Sequence, residues 1–232
     1  MRWHFVFTEV KRVLTDDRLT EIINMLPASR VIADIGADHG RLGAQLLLSG
    51  KCEKVWFSDI SAPSLDKARS LIKRLALNDK AEFFVGDGAL ALPEAPDAAV
   101  IAGMGGVTIA EIIENSKGRL RGAELILQPN VGCTHLRKKL SENGWVITDE
   151  RAVRCARRWY VLLKAEEGKS ELSFKELVAG PVFLRRMDEN FRGYALFRLR
   201  VIEKALKGAL KSESAETEEM ANELDIWKEV AK

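Results

Sequence analysis

Arg30-Val-Ile-Ala-Asp-Ile-Gly-Ala-Asp-His-Gly40 carries a buried strand straight into a glycine turn. Val31 to Ile35 is apolar except for Asp34, the pattern of a strand buried on both faces, and the chain then turns through two glycines and a second acid. Gly36 permits a tight turn, and Gly40 lets the next helix begin close beneath a ligand. Such a turn is expected to set backbone N–H groups and a helix N-terminus beside a nucleotide-like molecule. The spacing is not G-x-G-x-x-G, because position 38 is Asp. That charge disfavours the pyrophosphate of a nicotinamide dinucleotide and favours a cationic sulfonium carrying a free amino group.

Outward from this turn, strand and helix patterns alternate for about 165 residues. Val55–Asp59, Ala81–Val85, Ala98–Ala102 and Glu124–Leu127 read as further buried strands. Ser61-Ala-Pro-Ser opens a helix with Leu65, Ala68, Ile72 and Leu75 on one face. Val107–Asn115 and Thr134–Glu142 are later crossovers, the second closed by Asn143-Gly144. This alternation predicts an α/β fold with a doubly wound, parallel sheet. Trp145–Ala152 and Trp159–Lys164 leave no room for a helix between them, so they must pair antiparallel. A terminal antiparallel pair is the mark of class I Rossmann-like methyltransferases.

Beyond Glu166 the period changes. Leu184, Met187, Phe191, Tyr194, Leu199, Ile202, Leu206 and Leu210 predict one long amphipathic helix. Ser212-Glu-Ser breaks it, and Ser214 is placed to cap a last helix with Met220, Leu224, Trp227 and Val230 on its apolar face. Two such helices make an antiparallel hairpin, a C-terminal coiled-coil arm. The expected domains are residues 1–166 and 171–232.

The chemistry lies at the strand ends. Asp34 and Asp38 flank the first turn; Asp59 ends the second strand, where an acid accepts from both hydroxyls of a ribose, with capping of the next helix as the alternative. Asp87, in Gly86-Asp-Gly88, can accept from an adenine amine. Three acids on successive strand ends describe an S-adenosylmethionine site, to which Gly36, Gly40, Ile60, Gly88, Ala102 and Gly103 are assigned as neighbours. The fourth strand ends in Ile101-Ala-Gly-Met-Gly-Gly106, so Met104, Gly105 and Gly106 leave space for a flat base. Asn130, in Leu127-Gln-Pro-Asn130, can meet a base edge or cap a helix. His39 and His135 near the same rim are read as structural, and Asp38 as the catalytic group.

Composition excludes several classes. The 232 residues are 47% apolar and 30% charged, enough to bury a core, and no uncharged stretch is long enough to span a bilayer. Trp3–Val6 is followed at once by charges, so no secretory core is expected. Cys52, Cys133 and Cys155 lie far apart with no C-x-x-C, against a disulfide framework or a metal site. The expectation is a cytoplasmic protein. The net charge of +2 conceals a basic stretch: seven basic against three acidic residues in 137–158, and eight against three in 180–211. Interleaved aromatics make that stretch fit for a phosphate backbone, although a solvated helix face paired with the acidic last 21 residues would look the same.

The sequence resembles the bacterial tRNA (adenine-22-N1)-methyltransferase family, TrmK. The resemblance rests on DIGADHG (34–40), IAGMGG (101–106), LILQPN (125–130) and Val178-Ala-Gly-Pro-Val182, and covers Leu14 to Val230. It implies a class I methyltransferase domain with a coiled-coil arm, S-adenosylmethionine as cofactor, no metal, and methylation of N1 of one adenine in folded tRNA. Where the family has Ala-Tyr-Leu-Pro this chain has Gly40-Arg-Leu-Gly43, and where the family ends its second strand in Gly-Glu it has Ser58-Asp59. Arg41, Arg151, Arg154, Arg157, Arg158, Arg185, Arg186 and Arg192 are the candidates for tRNA contact. A monomer acting on tRNA, not DNA or a membrane, is expected. The competing readings are a class I methyltransferase with another RNA, protein or small-molecule acceptor, a non-catalytic RNA-binding protein, and a nicotinamide oxidoreductase.

Overall fold

The structure, a computed structural model, describes residues 17–116, 118–209 and 215–232. The Trp3–Val6 segment and the expected Ser212–Ser214 break lie outside the described residues.

Helix α1 (Asp17–Met25) leads into β1 (Ser29–Ile35), followed by α2 (Arg41–Leu48), β2 (Cys52–Asp59) and α3 (Ala62–Arg74). Next come β3 (Ala81–Val85), β4 (Ala98–Gly105), α4 (Gly106–Asn115), β5 (Glu124–Val131) and α5 (Cys133–Glu142). The sheet finishes with β6 (Trp145–Cys155) and β7 (Arg158–Glu167), and the tail holds α6 (Phe174–Ala179), α7 (Pro181–Arg186), α8 (Glu189–Ala209) and α9 (Ala215–Val230).

The seven strands run in the order β3-β2-β1-β4-β5-β7-β6, the first five parallel and β7 antiparallel to both β5 and β6. The expected terminal pair is present, and β7 inserts between β5 and β6. Because β7 runs against β5, with Leu125 opposite Ala165 and Leu127 opposite Leu163, the tip of the β6–β7 hairpin at Cys155–Arg158 reaches the carboxyl edge of the parallel strands. That is the edge on which ligands bind in open α/β sheets.

Alternating residues divide the strands between two cores. In β4, Ala99 and Ile101 join the α4–α5 side, whereas Ala98 and Val100 join the side covered by α1, α2 and α3. The tail packs on the α4–α5 side: Phe183, Phe191, Ala195, Ile202 and Trp227 belong to the same apolar cluster as Leu125 and Leu163. Tyr194 meets Trp227 edge-on at 5.8 Å, and Arg198 pairs with Glu223 at 2.6 Å. Partners that recede along α9 as the chain advances along α8 make the two helices antiparallel.

The expectation for the tail is corrected. The helix predicted through Leu184 and Met187 to Leu210 is broken, since α7 stops at Arg186 and Met187 adopts φ 50° before α8 begins at Glu189. Asp188 accepts the N–H of Phe191 at 2.8 Å and caps the new helix. The break lets Phe183 and Phe191 stack face to face at 4.5 Å, a contact that a continuous helix would not allow at a spacing of eight residues.

Arg137 and Glu150 fasten the tail to the sheet. Both are buried, and Arg137 Nε donates to Glu150 Oε1 at 2.9 Å. Arg137 Nη1 also donates to the carbonyls of Leu177 and Val178, each at 2.9 Å. Glu150 Oε2 accepts from the N–H of Val182 at 2.9 Å and of Phe183 at 3.3 Å. Gly180 lies between these groups with φ 103°, and a Cβ there would come within 2.5 Å of the Glu150 carboxylate. The Val178-Ala-Gly-Pro-Val182 motif is therefore the seat of this ion pair.

Candidate functional site

Two cavities meet above Gly36, Asp59 and Met104 at the carboxyl edge of the sheet. The smaller, about 220 Å³, is lined by Ile60, Asp87 and Gly88 and, from α4, Thr108, Glu111, Ile112 and Asn115. The larger, about 560 Å³, is lined by Asp34, Asp38, His39, Arg41, Ala102 and Gly103, with Arg18 from α1. Strand order explains the grouping, because β1, β2 and β3 are adjacent and β4 borders β1 on the other side.

The acids are held differently. Asp34 is buried and accepts the N–H of Gly43 at 3.0 Å. Burial raises its pKa to about 7; the Gly43 hydrogen bond opposes the rise and the Asp59 charge adds to it. Asp59 accepts from the N–H of Asp38 at 3.0 Å through Oδ2 and from that of Ser61 at 2.8 Å through Oδ1. It does not cap α3; Ser61 does, accepting from Ser64 N–H at 3.3 Å. Asp38, at φ 46°, projects into solvent with His39 Nδ1 at 2.5 Å from its carboxylate. Desolvation pushes the Asp38 carboxyl up, but the His39 hydrogen bond and charge, helped by Lys67, hold it below the usual carboxylate range.

The turn itself departs from expectation. The N–H groups of Gly36 and Ala37 donate to the Ser58 carbonyl at 2.7 and 3.1 Å, and that of Gly40 to Ala37 at 2.8 Å. With the Asp38 N–H given to Asp59, these turn amides are spent inside the protein. Carboxylates, not amides, are what this part of the cleft offers a ligand. A cationic amino acid with a ribose suits that set, and a pyrophosphate does not.

Gly36 is where the cavities touch. A Cβ added there would lie 1.9 Å from Met104 Cε, and φ is +72°. Met104, expected in the base pocket, lines both cavities and lays its methyl end over Gly36. Gly103 sits at a bulge, where the β4–β5 register shifts between Ala102 and Met104. Gly105 and Gly106 start α4, and Asn130, exposed at the end of β5, donates to the Gly103 carbonyl at 2.6 Å.

The arginines fall into two groups. Arg41, Arg157 and Arg158 join Arg18 and Tyr160 around an opening that adjoins the larger cavity, brought there by the β6–β7 tip. Arg154 and Arg186 line a separate groove with Asp17, Glu21 and Arg151. Arg186 is paired with Asp149 at 2.7 Å and Asp188 at 2.6 Å and also donates to the Glu150 carbonyl; Arg151 is paired with Glu21 at 3.0 Å. Arg185 and Arg192 are exposed on the tail and line neither opening. Among the described residues no helix is long and apolar enough to cross a membrane, and no His/Cys/Asp/Glu cluster suits a metal ion.

Sequence reasoning missed Arg18, Gln128 and the α4 residues Thr108 and Glu111. Gln128 lies in the Leu125–Asn130 motif, and the α4 residues are signalled only by following the fourth strand.

A methyltransferase-domain family model matches residues 15–163. The Bacillus subtilis (strain 168) tRNA (adenine(22)-N(1))-methyltransferase is 33% identical over 159 residues, 68% of this chain and 67% of that protein. The solved structure of B. subtilis m1A22 tRNA methyltransferase TrmK superposes with a TM-score of 0.82 at 25% identity, covering 93% of this chain and 97% of that one. A Streptococcus pneumoniae protein solved in complex with S-adenosyl-L-methionine gives 0.84 at 25% identity, covering 94% and 99%.

Proposed function

The chain belongs to the bacterial tRNA (adenine-22-N1)-methyltransferase family, TrmK, and from that premise we propose how its own residues divide the work. The enzyme methylates N1 of an adenine in tRNA with S-adenosylmethionine as cofactor; adenine 22 is the position its family membership implies. The observation that carries the reading is the convergence of Asp34, Asp59 and Asp87 around the Gly36 gap, beside the glycine-lined end of β4.

When bound, S-adenosylmethionine supplies an electrophilic methyl group on a sulfonium. Asp59 takes the ribose hydroxyls through the lone pairs left by its two backbone hydrogen bonds. Asp87 and Gly88, with Ile60, hold the adenine in the smaller cavity, and Asp34 and Asp38 face the amino acid end in the larger one. Ala102 and Gly103 line the larger cavity, and Gly40, which lines neither, lets α2 start close against Ala68 and Phe57. Adenine N1 already has an in-plane lone pair, so no strong base is needed; the residues act by alignment and electrostatics. Asp38, held ionised by His39, stabilises the cation that develops on the base, a role its lowered pKa suits better than proton abstraction.

Met104, Gly105 and Asn130 border the acceptor base; Gly106, expected there too, is buried, and its missing side chain makes room for the Gly132 carbonyl instead. N1 lies on the Watson–Crick edge, so a paired adenine must be turned out at a cost of a few kcal/mol. Arg41, Arg157 and Arg158 at the cleft mouth, with Arg154, Arg185 and Arg192 along the hairpin and tail, offset that cost through phosphate contacts; Arg186, held by Asp149, Asp188 and the Glu150 carbonyl, is withdrawn from the expected set. Residues 1–166 form the catalytic domain and 171–232 the RNA-holding arm, in a monomer acting in the cytoplasm.

The test is transfer of labelled methyl from S-adenosylmethionine to total bacterial tRNA with nucleoside analysis. We expect 1-methyladenosine mapping to adenine 22, and Asp38→Asn retaining cofactor affinity while losing transfer. Label in any other nucleoside would overturn the acceptor assignment. Equal loss of binding and transfer in Asp38→Asn would reduce Asp38 to cofactor binding.

A further inference from the structure

We propose that Arg18 and Gln128 fix the direction in which the Asn130 amide faces, and that Asn130 so oriented grips the target adenine by N6 and N7, leaving N1 open to the methyl. This rests on the methyltransferase reading of the cleft.

Gln128 is wholly buried in the carboxyl half of β5. Its side chain lies between Arg18, 110 residues away in sequence, and Asn130. A guanidinium only donates, so the Gln128 atom facing Arg18 Nη1 is Oε1 and its Nε2 must point the other way. Gln128 Nε2 donates to Asn130 at 3.0 Å, so the atom it meets is Oδ1. Asn130 Nδ2 then donates to the Gly103 carbonyl at 2.6 Å, and a carbonyl only accepts. The relay has a fixed donor at one end and a fixed acceptor at the other, so neither amide can flip without breaking two hydrogen bonds. Arg18 is itself seated 5.3 Å from the centroid of the Tyr160 ring and lines the larger cavity.

After these bonds Asn130, exposed and bonded to the Gly103 that lines the larger cavity, keeps one lone pair on Oδ1 and one N–H on Nδ2. An adjacent acceptor and donor on one amide match adenine N6–H and N7, the pairing by which asparagine reads adenine. Guanine offers two acceptors there and is refused. The grip leaves the Watson–Crick edge untouched, which a reaction at N1 requires. Asn130 is thus a substrate-binding residue; Arg18 and Gln128 are positioning residues.

The test uses tRNA assembled with 7-deazaadenosine at the target position. Loss of N7 makes N1 more electron-rich, so chemistry alone predicts an unchanged or faster reaction. If Asn130 donates to N7, the wild-type kcat/KM falls between about fivefold and a hundredfold on the deaza substrate. Gln128→Glu keeps an acceptor for Arg18 but cannot donate to Asn130. That variant is expected to lose a similar factor on normal tRNA, to be insensitive to the deaza substitution, and to bind S-adenosylmethionine with unchanged affinity. Arg18→Lys, still a pure donor, is expected to restore more activity than Arg18→Met. A wild-type enzyme indifferent to 7-deazaadenosine would overturn the proposal, as would equal deaza sensitivity in wild type and Gln128→Glu. Absence of methylation on unmodified tRNA would instead remove the functional reading beneath it.

Discussion

Removing one partner of the buried Arg137–Glu150 pair should loosen the tail from the sheet while sparing the cofactor cleft. The pair holds five hydrogen bonds together: one between the side chains, two from Arg137 to the Leu177 and Val178 carbonyls, and two from the Val182 and Phe183 amides to Glu150. Glu150→Gln keeps an acceptor for the amides but leaves the guanidinium buried without its counter-charge. Arg137→Met keeps the volume of the stem, orphans both carbonyls and leaves the carboxylate buried with its two amide donors but no counter-charge. Breaking such a pair costs about 3–5 kcal/mol. For a chain of this size each kcal/mol lowers the melting temperature by about 2–4 °C, so each single variant should melt roughly 6–20 °C lower. The double variant Arg137→Met/Glu150→Gln should lose less than the sum of the singles by at least about 1 kcal/mol, because the two act on one network. Thermal melts followed by tryptophan fluorescence report this, since Trp159 and Trp227 both contact Tyr194 in the tail. Limited proteolysis should cut first around 168–188, and S-adenosylmethionine affinity at 25 °C should hold, the acids of β1–β3 lying across the sheet from β6. Additive effects, or shifts below about 3 °C, would refute the assignment of the pair as the fastening between tail and sheet.

Further outcomes concern the cleft and the hairpin tip. Asp34 has a folded-state pKa of about 7, above its unfolded value, so its contribution to stability is present at low pH and is lost as the pH rises through 7. Asp34→Asn should therefore melt higher than wild type at pH 8 without ligand. Wild-type affinity for S-adenosylmethionine should rise about tenfold from pH 6 to pH 8, as the carboxylate that meets the amino group forms; calorimetry in buffers of different ionisation enthalpy would detect the released proton. Gly36→Ala places a Cβ 1.9 Å from Met104 Cε at φ +72° and should abolish cofactor binding, and Gly36→Ala/Met104→Ala should recover only part of it, since the backbone strain persists. Filter binding of tRNA between 50 and 200 mM salt should show affinity falling roughly tenfold or more, with a shallower slope for Arg157→Ala/Arg158→Ala. A slope unchanged by that double substitution would remove the hairpin tip from the RNA interface.

Much of this protein was set by local pattern. The apolar runs at 31–35, 55–59, 81–85 and 98–102 became β1–β4, although β3, expected to be buried, is an edge strand and only half-buried with Val85 exposed; because parallel strands share one direction, the acids at the ends of the first three had to gather on one edge. Asp34, Asp59 and Asp87 were legible for that reason. The missing room for a helix between residues 152 and 159 likewise forced the β6–β7 hairpin. Tertiary structure decided what depends on partners far apart in the chain. Only the insertion of β7 beside β5 carries Arg157 and Arg158 over the cleft. The period-3.6 pattern ran on through Met187, but the stacking of Phe183 on Phe191 and the Asp188 cap outweighed it and broke the helix. Arg18 carries no sign of its role in its own neighbourhood, since its partner Gln128 lies 110 residues away and the polarity of that contact exists only once the sheet has closed. Periodicity reports which face of an element is buried; it carries no information about which buried polar groups will find one another.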